Sequence, residues 1–185
     1  MASVFDAPVL GRNFYERDTR LVARALLGQV VTLGAKAGRI VETEAYLGLD
    51  DLAAHASRGL TPRTKVIFGP PGHAYVYLIY GLHLCLNLIA EPDGVPGCVL
   101  IRALEPVAGL DGLSASGPGR LTEAMEITRK LNGADVTRGP LAVRAWPTPR
   151  FDIAVTPRIG IRHCADWPLR YVVKGSPFLS KGGSG

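Results

Sequence analysis

The sequence predicts an α/β mixed (α+β) fold: a single domain built on a curved, mainly antiparallel, barrel-like β-sheet, flanked by helices and carrying one protruding β-hairpin. Three observations lead there. Five strand-like runs crowd the central half of the chain, separated by Gly, Pro and Asp punctuation. Two other stretches carry apolar residues at helical spacing, one before the strands and one after them. The 185 residues, 47 % hydrophobic and 20 % charged, suit one core, and no repeat, linker or low-complexity segment divides them, so residues 1–185 read as one domain.

In chain order, DTRLVARALLG predicts the first helix, with Asp18 or Thr19 as cap, Leu21, Val22, Ala25 and Leu26 on one face and Gly28 as the stop. QVVTL, GRIVETEAYL, HAYVYLIYG, LHLCLNLIA and CVLIRALEP are the five strands. Between the second and third, DDLAAHAS makes a short helix capped by Asp50, and TPRTKVIFGPPGH, with its Pro-Pro-Gly, an irregular loop. SGPGRLTEAMEITRKL is the second helix, with Pro118 near its first turn and Leu121, Ala124, Met125, Thr128 and Leu131 at helical spacing. After Leu141 the chain returns to short strands, AVRA, FDIAV, RIGIR and LRYVV. Residues 1–15 and the glycine-rich end, 181–185, are expected to fray.

Several function classes lose support at once. No apolar run reaches the roughly 18 residues of a spanning helix and the N-terminus lacks a secretory pattern, so no membrane partner and an intracellular site are expected. Cys85, Cys98 and Cys164, odd in number and set in apolar sequence, read as buried free thiols. His55, His73, His83 and His163 show no metal-ligand spacing, and no dinucleotide, phosphate-loop or nucleophile-elbow motif occurs, so no metal and no cofactor are expected. A net charge of +5, from 21 Lys+Arg against 16 Asp+Glu, favours an anionic partner on a folded face.

Candidate chemistry begins in RIVETEAYLG. In regular extended backbone Ile40, Glu42, Glu44 and Tyr46 share one face. Inside a sheet, at least one carboxylate would point into a cleft, where burial makes it a usable base; the pattern alone favours the alternative, solvated glutamates on an edge strand. In YVYLIYGLHLCLN, Gly81 supplies the positive φ of a tight hairpin and puts Tyr80 near its tip, where an aromatic ring can enter a nucleic-acid stack; Tyr77 points off the opposite face. Arg102 interrupts an apolar strand and needs a carboxylate partner, for which Glu44 is a candidate, and Asn87 needs a hydrogen-bond partner. SGPGR could offer backbone N–H groups and Arg120 to a phosphate.

The order and spacing of RIVETEAYLG, DDLAAHASRG, TPRT, PPGHAYVYLIYGLHLCLN, LIRALEP, SGPGRLTEAM and RIGIRHCADWPLRYVVKGSPFLS closely resemble the alkyladenine (3-methyladenine, or methylpurine) DNA glycosylase family, from about Leu21 to Ser180. The resemblance implies that Glu44 activates the attacking water, Tyr46 stacks on the flipped base, His55 contacts the extrahelical nucleotide and Tyr77 stacks opposite. It further implies that Tyr80 fills the gap left in the duplex, Asn87 rejects unmodified guanine, Arg102 helps to hold the water and the backbone carbonyl of Ile159 completes its coordination. Arg63 and Arg120 are expected on phosphates. Leu82 and His83, where some relatives place Met and Tyr, and a short segment between His163 and Pro168 depart from the pattern.

The expected enzyme is a monofunctional DNA-3-methyladenine glycosylase of base excision repair. It would act as a monomer on double-stranded DNA containing damaged purines: 3-methyladenine, 7-methylguanine, hypoxanthine or ethenoadenine. A bacterial, nucleoid-associated cytoplasmic setting is expected before a nuclear one. A single-strand binder and an RNA-binding domain are the rival readings, separable by base release and by comparing lesion DNA with RNA.

Overall fold

The computed structural model describes residues 3–182. Its eight strands are β1 (Val30–Leu33), β2 (Lys36–Tyr46), β3 (Ala74–Ile79), β4 (His83–Ile89), β5 (Cys98–Ala108), β6 (Leu141–Arg144), β7 (Ile153–Thr156) and β8 (Arg170–Val173). They form one antiparallel sheet in the order β3-β4-β5-β2-β1-β6, with β7 joined to β8 and β8 to β2. β2 organises the rest. One of its edges pairs with β5 along its length, while the other pairs first with β1, Lys36 to Arg39, and then with β8, Glu42 to Glu44. The β2–β5 register slips between Ile40 and Glu42 and again between Glu42 and Thr43, where β1 gives way to β8, and such bulges bend a sheet. The expected fold class, a curled and mainly antiparallel sheet with peripheral helices in one domain, is what the chain adopts.

The bulge also corrects the expected side-chain faces. Ile40 sits in the main core with Ala45, and Thr43 donates its hydroxyl to the Ala23 carbonyl at 2.8 Å, so these three face the helical layer. Glu42, Glu44 and Tyr46 are left to the other side, without Ile40. The covering helix, α2 (Thr19–Leu26), follows the short α1 (Arg12–Tyr15), is capped by Asp18 and buries Val22, Ala23 and Leu26; Leu21, expected on that face, is exposed. The second predicted helix is shorter than expected. α3 (Pro118–Ala124) stops where Glu126 takes φ 58°, and a 3₁₀ turn at Arg129–Leu131 replaces its second half.

Three local expectations need correction as well. DDLAAHAS gives a 3₁₀ turn at His55–Arg58 instead of a helix capped by Asp50: the turn starts four residues later than that cap requires, and its N-cap position is Ala54, which has no side-chain acceptor. RIGIR is irregular rather than a strand. Residues 3–15, expected to fray, are packed: Tyr15 is fully buried, and Leu10 and Ala145 form backbone hydrogen bonds to Val143 and Pro8. Residues 1–2 and 183–185 lie outside the described residues. Among the described residues no helix is long and apolar enough to cross a membrane.

Candidate active site

The question posed by RIVETEAYLG is answered by topology. β2 is not an edge strand, so Glu42 and Glu44 are walled in, and both carboxylates have 0 % exposure. Buried charges survive only with partners, and each oxygen has one. Glu42 accepts from the Ser180 amide at 2.6 Å, the Ser180 hydroxyl at 2.8 Å, Arg170 Nε at 2.7 Å and Arg102 Nε at 3.2 Å. Glu44 accepts from the Tyr46 hydroxyl at 2.8 Å, the Ile159 amide at 2.8 Å and Arg102 Nη1 at 3.4 Å. Arg102 therefore bridges two carboxylates, of which sequence reasoning singled out only Glu44. Ile159 reaches the site, though the contact made in the free protein is through its N–H.

Beside Glu44 lies a small aromatic slot. Tyr46, His55, Tyr75, Tyr77, Asn87 and Cys98 line it, over Ile67 and Ala53. β2, β3 and β4 and the 3₁₀ turn each contribute, so residues far apart in sequence converge. His55 Nδ1 and the Tyr75 hydroxyl share a hydrogen bond at 2.9 Å, and the His55 and Tyr77 rings meet edge to face with centroids 4.6 Å apart. Burial first, then the nearby Arg63 and Arg58 charges, lower the His55 pKa. Burial and the Glu44 charge push the Tyr46 phenol far up, so it stays protonated and donates to the carboxylate. Burial pushes the Cys98 thiol up to about 12. The Asn87 amide is oriented: its Nδ2 donates to the Tyr75 carbonyl at 3.2 Å, and the Cys98 thiol donates to its Oδ1 at 3.9 Å.

The His55 shift has a thermodynamic consequence. Its folded pKa is depressed, so the unfolded chain takes the proton more readily near the usual value of about 6.5, and the associated stability is present above that value and lost as pH falls below it. Urea unfolding of the wild-type protein between pH 7.5 and 5.5 should therefore weaken with falling pH more steeply than that of His55→Asn. Parallel curves would mean that His55 does not titrate in the way its surroundings dictate.

Tyr80 stands apart. β3 and β4 form a hairpin whose turn runs through Tyr80 and Gly81, at φ 52° and 68°. Tyr80 is 84 % exposed and Leu82 80 %. A non-glycine residue at positive φ carries strain of about 1 kcal/mol, so the turn presents this ring at some expense in stability. Arg63 is exposed, with its guanidinium carbon 5.8 Å from the Tyr77 ring centroid at the mouth of the slot. Arg120 is exposed on α3 and shares an open cleft with Lys181 and His83, whose floor holds Arg102 and Ser180. Arg102 thus faces the cleft on one side and Glu44 on the other.

Sequence reasoning missed Glu42 as a buried partner, Ser180, Arg170, Tyr75, and the pair Asp51 and Arg158. Only Arg158 carried a faint signal, as a charge between apolar neighbours in RIGI. Among the described residues no three His, Cys, Asp or Glu side chains gather as a metal-binding set.

The comparisons with known proteins agree with one another. A family model described as methylpurine-DNA glycosylase matches residues 13–177. A protein of Koribacter versatilis (strain Ellin345), provisionally named 3-methyladenine DNA glycosylase, is 49 % identical over 191 residues, covering 92 % of this chain and 92 % of its own length. Proteins with the same provisional name from Methanocella arvoryzae and Legionella pneumophila (strain Corby) are 50 % and 48 % identical, covering 94 % and 93 % of this chain and 96 % and 98 % of theirs. A match over this span, with relatives this similar across their full length, places the chain in the methylpurine-DNA glycosylase family.

Proposed function

We propose that this DNA glycosylase, a hydrolase of N-glycosyl bonds, removes alkylated or deaminated purines from duplex DNA with a water activated by Glu44. The observation that carries the reading is the junction between Glu44 and the slot: a fully buried carboxylate reached through the Tyr46 hydroxyl, whose own ring lines the aromatic seat. The slot is walled by aromatic rings, and the separate cleft that Arg102 floors carries Arg120 and Lys181 against one carboxylate, Glu123, which suits a base swung out of a duplex with its sugar-phosphate left outside.

Tyr80 enters from the minor groove and replaces the stacking lost on flipping, worth a few kcal/mol. Arg63 and Arg120 hold phosphates at the slot mouth and the cleft. The base lies against Tyr46, Tyr77 and His55. Purines methylated at N3 or N7 carry positive charge, which the negative faces of the rings favour; a neutral His55 adds no opposing charge. Asn87, held by the Tyr75 carbonyl and the Cys98 thiol, tests the base edge for an exocyclic amino group in this reading.

As the bond from C1′ to the base nitrogen breaks, its electrons leave with the base and the sugar gains oxocarbenium character. Glu44, an anion beside it, stabilises that charge and takes the proton of the water whose oxygen bonds to C1′, with Arg102 and Ile159 orienting that water. The products are the free base and an abasic sugar. Water is the nucleophile, so no protein–DNA bond forms. Borohydride should trap no adduct, and a trapped adduct would overturn this step. We infer that 3-methyladenine, 7-methylguanine, hypoxanthine and ethenoadenine are accepted, by a monomer working in the cytoplasm beside the nucleoid. Release assays on the four duplexes test the list.

Tyr80 gives a separable prediction. Tyr80→Ala should melt within about 1 °C of wild type, because the ring packs against little, yet bind lesion duplex at least about tenfold more weakly. Unchanged binding by fluorescence anisotropy would remove the wedge from the account.

A further inference from the structure

We infer that Asp51 and Arg158 are positioning residues that lock the base seat to the catalytic carboxylate, so that the ring under the base and the amide on Glu44 are set by one ion pair. The inference rests on the functional reading above and goes beyond it, since neither residue has a part in that chemistry. Both side chains have 0 % exposure. Arg158 donates in bidentate fashion to Asp51, Nη1 to Oδ2 at 2.6 Å and Nη2 to Oδ1 at 2.9 Å, and Nη1 also donates to the Ala45 carbonyl at 3.1 Å.

Each end of the pair holds a different part of the site. Asp51 accepts from the amides of Leu47 at 2.9 Å and Ala53 at 3.2 Å, which fixes the turn between Tyr46 and His55. The Arg158 guanidinium lies 4.7 Å from the Tyr46 ring centroid, and since it does not line the slot it backs the ring on the far side. The next residue, Ile159, donates its amide to Glu44. Pulling Arg158 away would therefore unseat the ring and withdraw a donor from the carboxylate together. A buried ion pair is a poor means of gaining stability, because desolvation offsets its attraction, and Arg158 Nε adds to the cost with no hydrogen-bond partner among the described residues. Its geometry, joining two otherwise separate segments, is the better account of it.

The other groups facing Glu44 are Tyr46 and Glu42 on its own strand, Arg102 on β5, Arg170 on β8 and Cys85 on β4. They are not themselves substituted when the pair is altered, so a change in the acid limb of the pH–rate profile reports what the pair does to Glu44: the Arg158 charge, the seating of Tyr46 and the Ile159 amide, of which Arg158→Lys keeps the charge and leaves the other two to be read. The test is single-turnover excision from a duplex carrying 7-methylguanine, by wild type, Arg158→Lys and the neutral double variant Asp51→Asn/Arg158→Gln, which folds without an uncompensated buried charge. Each variant should bind the duplex within about threefold of wild type. Each should excise at least about tenfold more slowly, with the acid limb moved up by on the order of one pH unit. Wild-type rates and an unmoved acid limb, with only a lower melting temperature, would overturn the inference and leave the pair structural. Wild type that releases no base overturns the functional reading itself, whereas wild type that releases base through Glu44 while the pair variants match it sinks the inference alone.

Discussion

Glu44→Gln should lower single-turnover excision by at least about 10²-fold while leaving binding to a lesion-containing duplex intact. The amide is nearly isosteric: its one oxygen can still accept from the Ile159 amide while its NH2 donates to the Tyr46 hydroxyl oxygen, so the fold and the slot persist. What disappears is the negative charge that stabilises the developing sugar cation and the site that receives the proton of water. Because both losses fall on the transition state, the effect belongs in the rate and not in the affinity. A variant that excises at the wild-type rate would remove Glu44 from the mechanism.

The second large effect concerns stability. Arg102→Leu should lower the unfolding free energy at pH 7.5 by about 3–5 kcal/mol, because it leaves Glu42 and Glu44 facing one another in a buried site with one cation fewer. Arg170 and Ser180 still hold Glu42, but Glu44 keeps no cation within bonding distance. Uncompensated carboxylates favour their neutral forms, so the deficit should shrink as pH falls towards 5. Urea unfolding at the two pH values measures both. A deficit that is small, or that grows on acidification, would show that Arg102 does not compensate these charges.

Strands announced themselves through β-branched runs between glycines and prolines, and the sheet follows those runs from β1 to β5. Helix lengths were less legible, because spacing alone continued α3 through Thr128 to Leu131. Positive φ at Glu126 ends it, and nothing local in SGPGRLTEAMEITRKL marks that residue as the break. Pattern favoured an edge strand for Glu42 and Glu44, since alternation cannot tell whether a second strand covers the far side. β1 and β8 do so in succession, one from the adjacent hairpin and one from more than 120 residues away.

The site divides in the same way. Tyr46, His55, Tyr77, Tyr80, Asn87 and Arg102 could be singled out through motif order, since each stands in a short quoted stretch. Ser180, Arg170, Asp51 and Arg158 reach the site through contacts that span 78 to 138 residues of sequence, and beyond the apolar neighbours of Arg158 no local signal separates them from surface polar residues. The hairpin turn lies between: Gly81 marked it, while the positive φ of Tyr80 itself emerges only in three dimensions.

The most direct measurement is a crystal structure of Glu44→Gln bound to a duplex with one ethenoadenine. The account predicts the lesion base out of the helix, its ring between Tyr46 and Tyr77, the Tyr80 ring in the vacated place and the sugar C1′ facing residue 44. A lesion still stacked in the duplex, or a flipped base seated away from these rings, would contradict it.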